Sequence, residues 1–363
     1  MPLNDIQEKV TQGDRLSYND GIRLMKSNDL LTIGKMADTI RKRKNGERVH
    51  FIVNTHLHYT NVCYLNCNLC AFGLKPDHPH SYTLSLEKIE EHSKQISEQP
   101  FTELQIVGGV NAKLPFSYYE KMVRTVKRYN PDIHVQAFTA VELDYLARTS
   151  RMSVQETILR LRDAGLDSIL GGGAEIFDPD VRKVISGHKT NSDRWFEIHE
   201  VTHNLGIKSN ASILYGHIEK PEHVIDHLIR IRDHQDRTQG FQAFSAYAFQ
   251  PDNTKLSEIF NLQGKQTTGL YDLKILAVAR LMLDNFPHIH ALWGMIGLKL
   301  AQVSLQFGVD DLGGIVKEEA IAYSGGHKTS GMTSKQEFID IIKEMGRIPI
   351  ERDTFYKEIQ RFE

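Results

Sequence analysis

Apolar residues in this chain recur with two alternating periods. Helical spacing puts Leu86, Ile89 and Ile96 on one face of residues 85–98. It does the same for Tyr119, Met122, Val123 and Val126, in a helix that Ser117 can cap. Val154, Ile158 and Leu161 follow the capping-box sequence Ser153-Val-Gln-Glu156, and Gly165 suits the end of that helix. Further helices are expected over 195–205, after Pro221, over 271–283 and 298–307, and from a second capping box, Ser334-Lys-Gln-Glu337. Between them, short apolar runs at 49–60, 104–107, 134–138, 168–170, 209–215, 241–249, 288–293 and 314–316 read as strands. Strand and helix thus alternate about eight times, as in parallel βαβ units. The fold expected is an α/β one, a (β/α)8-like TIM barrel with an N-terminal helical extension. A doubly wound open sheet is the alternative. Residues 1–45 read as a helical cap, with Ser17 and Asp20 at a helix start. Residues 46–320 read as the barrel core, and 321–363 as a C-terminal helical segment completing it.

Composition narrows the function. The chain has 363 residues, a formal charge of −2, 40% hydrophobic and 25% charged residues, an ordinary globular profile. That balance argues against a dedicated nucleic-acid binder, which needs a basic excess. The one basic run, Arg41-Lys-Arg-Lys44, reads as a solvated helix end. No apolar run reaches the ~18 residues of a membrane span. The N-terminus lacks an apolar signal core, so a cytoplasmic location without membrane partners is expected.

All three cysteines, Cys63, Cys67 and Cys70, fall in one loop after the first strand. Clustered thiols with no partner elsewhere read as metal ligands in a reducing compartment. Barrel chemistry gathers where strands end. Gly108-Gly109, Thr139-Ala-Val-Glu142, the glycine loop Gly171-Gly-Gly-Ala-Glu-Ile176 and Tyr215-Gly-His-Ile-Glu219 follow the next four strands. Thiolates hold iron–sulfur clusters or zinc. A four-iron cluster on three cysteines leaves one iron open to a non-protein ligand or another side chain. A structural zinc site with His56 or His58 as fourth ligand is the alternative.

The Cys-x3-Cys-x2-Cys loop resembles that of the radical S-adenosylmethionine (radical SAM) superfamily. The resemblance implies a [4Fe-4S] cluster whose non-cysteine iron is chelated by SAM, and electron transfer that yields methionine and a 5′-deoxyadenosyl radical. It implies SAM contacts at Gly108 and Gly109, and at Leu214 and Gly216 in Leu214-x-Gly216-x-x-Glu219. Ser212 stands where that motif normally has glycine, and Leu69 where an aromatic residue is usual. Thr60-Asn-Val-Cys63, Cys70-Ala-Phe72 and Tyr82-Thr-Leu-Ser85 resemble the subgroup serving futalosine-route menaquinone and deazaflavin synthesis. Ala137-Phe-Thr-Ala-Val-Glu142, Leu214-Tyr-Gly-His-Ile-Glu219 and Pro349-Ile-Glu-Arg-Asp353 are most similar to the aminofutalosine synthases.

For that family the resemblance implies addition of the adenosyl radical to 3-[(1-carboxyvinyl)oxy]benzoate, aryl migration and loss of a carboxylate. The product is 6-amino-6-deoxyfutalosine, so SAM is consumed. A one-electron donor such as flavodoxin or ferredoxin is implied as partner. The sister cyclase acting on dehypoxanthine futalosine is the alternative. A flat dicarboxylate calls for an apolar interior with a few cationic or hydrogen-bonding groups. His56 and His58 share one strand face and are candidate substrate contacts, with His58 nearer the cluster. Arg182 and His217 are candidate carboxylate partners. Glu175 and, behind it, Glu142 are candidates for the SAM ribose. No residue is identified as a general base.

Overall fold

The computed structural model describes residues 3–315, 321, 324 and 334–363. Its eleven strands form one sheet. They are β1 (Arg48–Ile52), β2 (Asn54–Leu57), β3 (Glu103–Ile106), β4 (His134–Thr139), β5 (Ser168–Leu170), β6 (Ser209–Tyr215), β7 (Phe241–Ala248), β8 (His288–Ala291), β9 (Asp311–Gly314), β10 (Ile348–Arg352) and β11 (Glu358–Arg361). All neighbours pair parallel except β10 and β11.

The expected first strand is broken at Val53, and the break matters. Residues in β1 pair with β9, whereas β2 pairs with β3. One stretch of chain therefore bonds to both ends of the strand series and curls the sheet into a barrel. β10 lies along β1, with Arg48 opposite Ile348 and Phe51 opposite Glu351.

Helices cover the outside. Gly269–Met282 shows why a single apolar stripe is not always enough. Leu273, Ile275, Leu276, Ala277, Val278, Ala279, Leu281 and Met282 are all buried. A helix apolar on every side must be covered on every side. Strands β7 and β8 lie beneath this one, and helices Tyr18–Lys26 and Leu30–Asn45 lie over it. Ser17 and Asp20 form the full capping box at the first of those two helices.

Several local expectations change. The helix expected to be capped by Ser117 begins at Phe116, after Pro115, so Ser117 lies inside it. Ser153 and Ser334 accept the amides of Glu156 and Glu337, without the reciprocal half of a capping box. Arg41 is buried, pairing with Asp38, so the basic run is not simply a solvated end. The stretch 139–142 opens a helix, Ala140–Thr149. After the helix Lys335–Glu344 comes the antiparallel β10–β11 hairpin instead of more helix. Val316, expected in the last barrel strand, lies outside the described residues.

Candidate active site

The cysteine loop leaves the end of β2 and is pinned on all sides by backbone. The Cys63 amide donates to the Leu74 carbonyl (2.8 Å), Tyr64 to Val110 (3.0 Å), and Leu69 to Ile185 (3.2 Å). Asn66, at φ 49°, makes the turn between the first two thiols. Gly109 must be glycine, because a Cβ there would sit 2.3 Å from the Val62 carbonyl oxygen. That close approach seats the loop against the end of β3.

The thiols are half-buried, and Cys67 interacts electrostatically with both of the others. Burial pushes Cys67 up to about 11, against the pull of Lys189, and also raises Cys70. Metal ligation releases those protons. A tetrahedral zinc site with bonds near 2.3 Å places its sulfurs roughly 3.8 Å apart. Among the described residues, the histidine, cysteine and carboxylate ligand atoms that close to within 4.8 Å are those of His50, His288 and Asp310. The three thiols do not all close to that distance. In the His50 group the Arg280 guanidinium already pairs with Asp310.

The segments after β3 and β4 are bound to each other, as are the loop after β5 and strand β6. Glu142 is buried and fully used. It accepts from the Thr139 amide and hydroxyl, each at 2.8 Å, from Tyr59 Oη (2.8 Å) and from the Gly108 amide (3.1 Å). It braces the loop after β3 and is not available to a ribose. The Gly109 amide donates to the Thr60 carbonyl (2.8 Å), and the Gly109 carbonyl accepts from buried Tyr59 Oη (3.5 Å).

Glu175 stands at φ 48° on the glycine loop and pairs with Lys189. Burial opposes its ionisation, but Lys189 outweighs burial and holds the carboxyl below its usual range. Its backbone carbonyl accepts the Leu214 amide (2.8 Å), which joins this loop to β6. Gly216 follows at φ 85°.

Two expected carboxylate partners are committed elsewhere. His217 accepts the Ile218 amide at Nδ1 (2.7 Å) and bonds the Leu214 carbonyl through Nε2 (3.1 Å). Burial lowers its pKa, so it is a neutral loop staple. Arg182 is buried and spends all five donors on backbone. Nε bonds the Thr190 carbonyl (3.1 Å), Nη1 bonds Ala174 (2.6 Å) and Ile176 (3.3 Å), and Nη2 bonds Gly173 (2.8 Å) and Thr190. It holds the glycine loop in shape. Arg182→Leu should therefore lose about 3 kcal/mol of stability, because buried carbonyls are left unpaired. Urea unfolding reads this. An unchanged midpoint with a raised substrate KM would restore the ligand role instead.

Inside the barrel lies a cavity of about 140 Å³. His56 lines it, with Nε2 against Gln105 Oε1 (3.1 Å). His58 stacks on His56, ring centroids 5.7 Å apart, and bonds the Val107 carbonyl through Nδ1 (3.3 Å). On its other side it meets Phe72 of the cysteine loop, at 5.6 Å. Leu170, Tyr247, Trp293 and Met295 form apolar wall, and Arg352 at the end of β10, with Thr354 and Tyr356 of the turn that follows, closes the floor. Reasoning from the sequence missed this floor. Its signal was the polar stretch Glu351-Arg-Asp353 beside strand-forming Ile348 and Ile350.

A family model described as the radical SAM superfamily matches residues 57–231, and one described as the CofH/MqnC C-terminal region matches 238–362. The aminodeoxyfutalosine synthase of Thermus thermophilus is 41% identical over 99% of this chain and 96% of its own length. The chain belongs to the radical SAM superfamily. The aminodeoxyfutalosine synthase of Streptomyces coelicolor is 39% identical, covering 99% of this chain and 94% of that one. The cyclic dehypoxanthine futalosine synthase of the same organism is 35% identical, over 98% and 89%. Among solved structures, methylornithine synthase aligns with a TM-score of 0.71 at 20% identity, covering 94% of this chain and 96% of that one, which establishes the shared barrel. No helix among the described residues is long and apolar enough to cross a membrane.

Proposed function

We propose that this radical SAM enzyme is an aminodeoxyfutalosine synthase. It would join the 5′-deoxyadenosyl group of SAM to 3-[(1-carboxyvinyl)oxy]benzoate, giving 6-amino-6-deoxyfutalosine, methionine and bicarbonate or CO2 in menaquinone synthesis. The observation that carries this reading is the near full-length match to two such synthases at 41% and 39% identity.

Cys63, Cys67 and Cys70 would hold three irons of a [4Fe-4S] cluster, leaving the fourth for SAM. When bound and reduced, the cluster supplies the electron that cleaves SAM. The chain's own groups do the rest. The backbone of Gly108 and Gly109 would meet the methionine amino group of SAM. Glu175, kept ionised by Lys189, accepts ribose hydroxyls. Leu214 and Gly216 pack at the adenine side. The cavity wall, with Trp293 and Tyr247, holds the flat ring and keeps water from a reactive carbon centre. His56 and His58 line the path between cavity and cysteine loop. An external one-electron donor such as flavodoxin or ferredoxin, and a cytoplasmic setting, belong to the same reading.

Anaerobic incubation with SAM, a reductant and the enolpyruvyl benzoate tests it. Mass spectrometry should find adenosine covalently joined to the aryl substrate. Unmodified benzoate beside free 5′-deoxyadenosine would sink the adduct reading. Cyclised product from dehypoxanthine futalosine would favour the sister cyclase.

A further inference from the structure

Among the described residues the cavity has one permanent cation, and it is incompletely used. Arg352 ends β10 and turns inward, only 4% exposed. Its Nε donates to Asp311 Oδ2 (2.6 Å) and its Nη1 to the Asp353 carbonyl (3.0 Å). The guanidinium lies 4.1 Å over the Tyr356 ring. Its Nη2 makes no hydrogen bond among the described residues. One edge of the planar fork is thus fixed, and the other is open where the residue lines the cavity. The cavity carboxylate outside the Arg352 pair, Glu103, already accepts from Asn54 (3.2 Å), Gln105 (2.8 Å) and Thr354 (2.8 Å).

The strand order gives this open edge a place along the barrel axis. β10 runs parallel beside β1, and its register puts Arg352 level with Ile52, one strand segment below the end of β2 where the cysteine loop begins. A ligand that presents its reacting end to the cluster presents its other end to Arg352. We propose that Arg352 binds the ring carboxylate of the aryl substrate and sets the specificity of the cavity for benzoates. This rests on the aminodeoxyfutalosine synthase reading, under which the enolpyruvyl group must face the cluster. Trp293 lines the same cavity. Asp311 holds the guanidinium in orientation, and Tyr356, itself bonded to His290 Nε2 (2.6 Å), holds its plane. A carboxylate on the open edge receives charge-assisted bonds in a desolvated setting.

The test uses the reconstituted holoenzyme and two readouts. Binding of 3-methoxybenzoate against methoxybenzene, followed by tryptophan emission, needs no turnover. KM for the enolpyruvyl benzoate against its ring-decarboxylated analogue follows turnover. The wild type should favour the carboxylated partner of each pair by about 100-fold. Arg352→Lys, which keeps a charge for Asp311, should lower that preference severalfold. Arg352→Gln with Asp311→Asn, which leaves no unpaired charge, should abolish it. A preference that survives in both variants overturns the assignment, as does equal weakening of both ligands. If the preference behaves as expected but no adduct forms, the anion site stands and the synthase reading falls. If the adduct forms and the preference is unaltered in the variants, the synthase reading stands and the anion site falls.

Discussion

Cys67→Ala will leave a folded protein with no iron–sulfur chromophore and no product. The expectation separates ligation from architecture. Cys67 sits in a half-exposed loop, and its sulfur makes no hydrogen bond among the described residues. Removing it from the metal-free chain should cost no more than about 1 kcal/mol. The loop itself is held by amides of Cys63, Tyr64 and Leu69, which alanine at position 67 leaves in place. Cluster assembly has no such reserve. With three cysteines in the chain, loss of one leaves two thiols for a cluster that draws on three. Anaerobic reconstitution with iron and sulfide, read by visible absorbance and iron content, should fail for Cys63→Ala and Cys70→Ala as well. Urea midpoints of the metal-free variants should match the parent. A brown, active Cys67→Ala protein would remove the cluster assignment altogether.

The largest effect on stability is expected at Asp310. Its carboxylate is wholly buried and meets Arg280, His288 (2.5 Å) and the Ile289 amide (2.9 Å). Burial opposes its ionisation, yet His288 and Arg280 hold its pKa well below the ordinary carboxylate value. Asp310→Ala strands the Arg280 guanidinium, itself wholly buried, and should cost about 3–5 kcal/mol. That is a large part of the roughly 5–15 kcal/mol typical of a domain. Removing both charges, with Arg280→Met and Asp310→Asn together, should recover most of the loss. Urea unfolding with an unchanged m-value checks both. Equal loss in the single and double variants would mean that shape, not charge, dominates there.

Much of the barrel is written in local patterns. The helices near 85–98 and 154–164 and the strands near 134 and 209 are stated by spacing and caps alone. The cysteine loop is legible because its chemistry lies in eight adjacent residues. What failed to show is what depends on distant partners. The helix from Ala140 had a local signal, the capping box Thr139-Ala-Val-Glu142, and only the further bonds of Glu142 to Tyr59 and Gly108 depend on distant partners. Arg182 and His217 have side chains suited to anions, and only the fold reveals that backbone has already claimed them. Arg352 sits far along the chain from the cysteines. Its relevance arises from β10 crossing to β1, which no periodicity announces.

The seam formed by residues 48–57 bears on how the protein is made. Glu47 and Arg347, which pair beside it, are 300 residues apart in sequence. Closing a loop of that length costs roughly 5 kcal/mol of chain entropy before any contact rewards it. During synthesis the first strand emerges early and must wait for β9 and β10. Meanwhile Val49 and Phe51 lack their final cover, and the strand's edges are unpaired. Such an edge is a template for self-association. Yield of active enzyme should therefore be set by a race between late barrel closure and aggregation of a nearly finished chain.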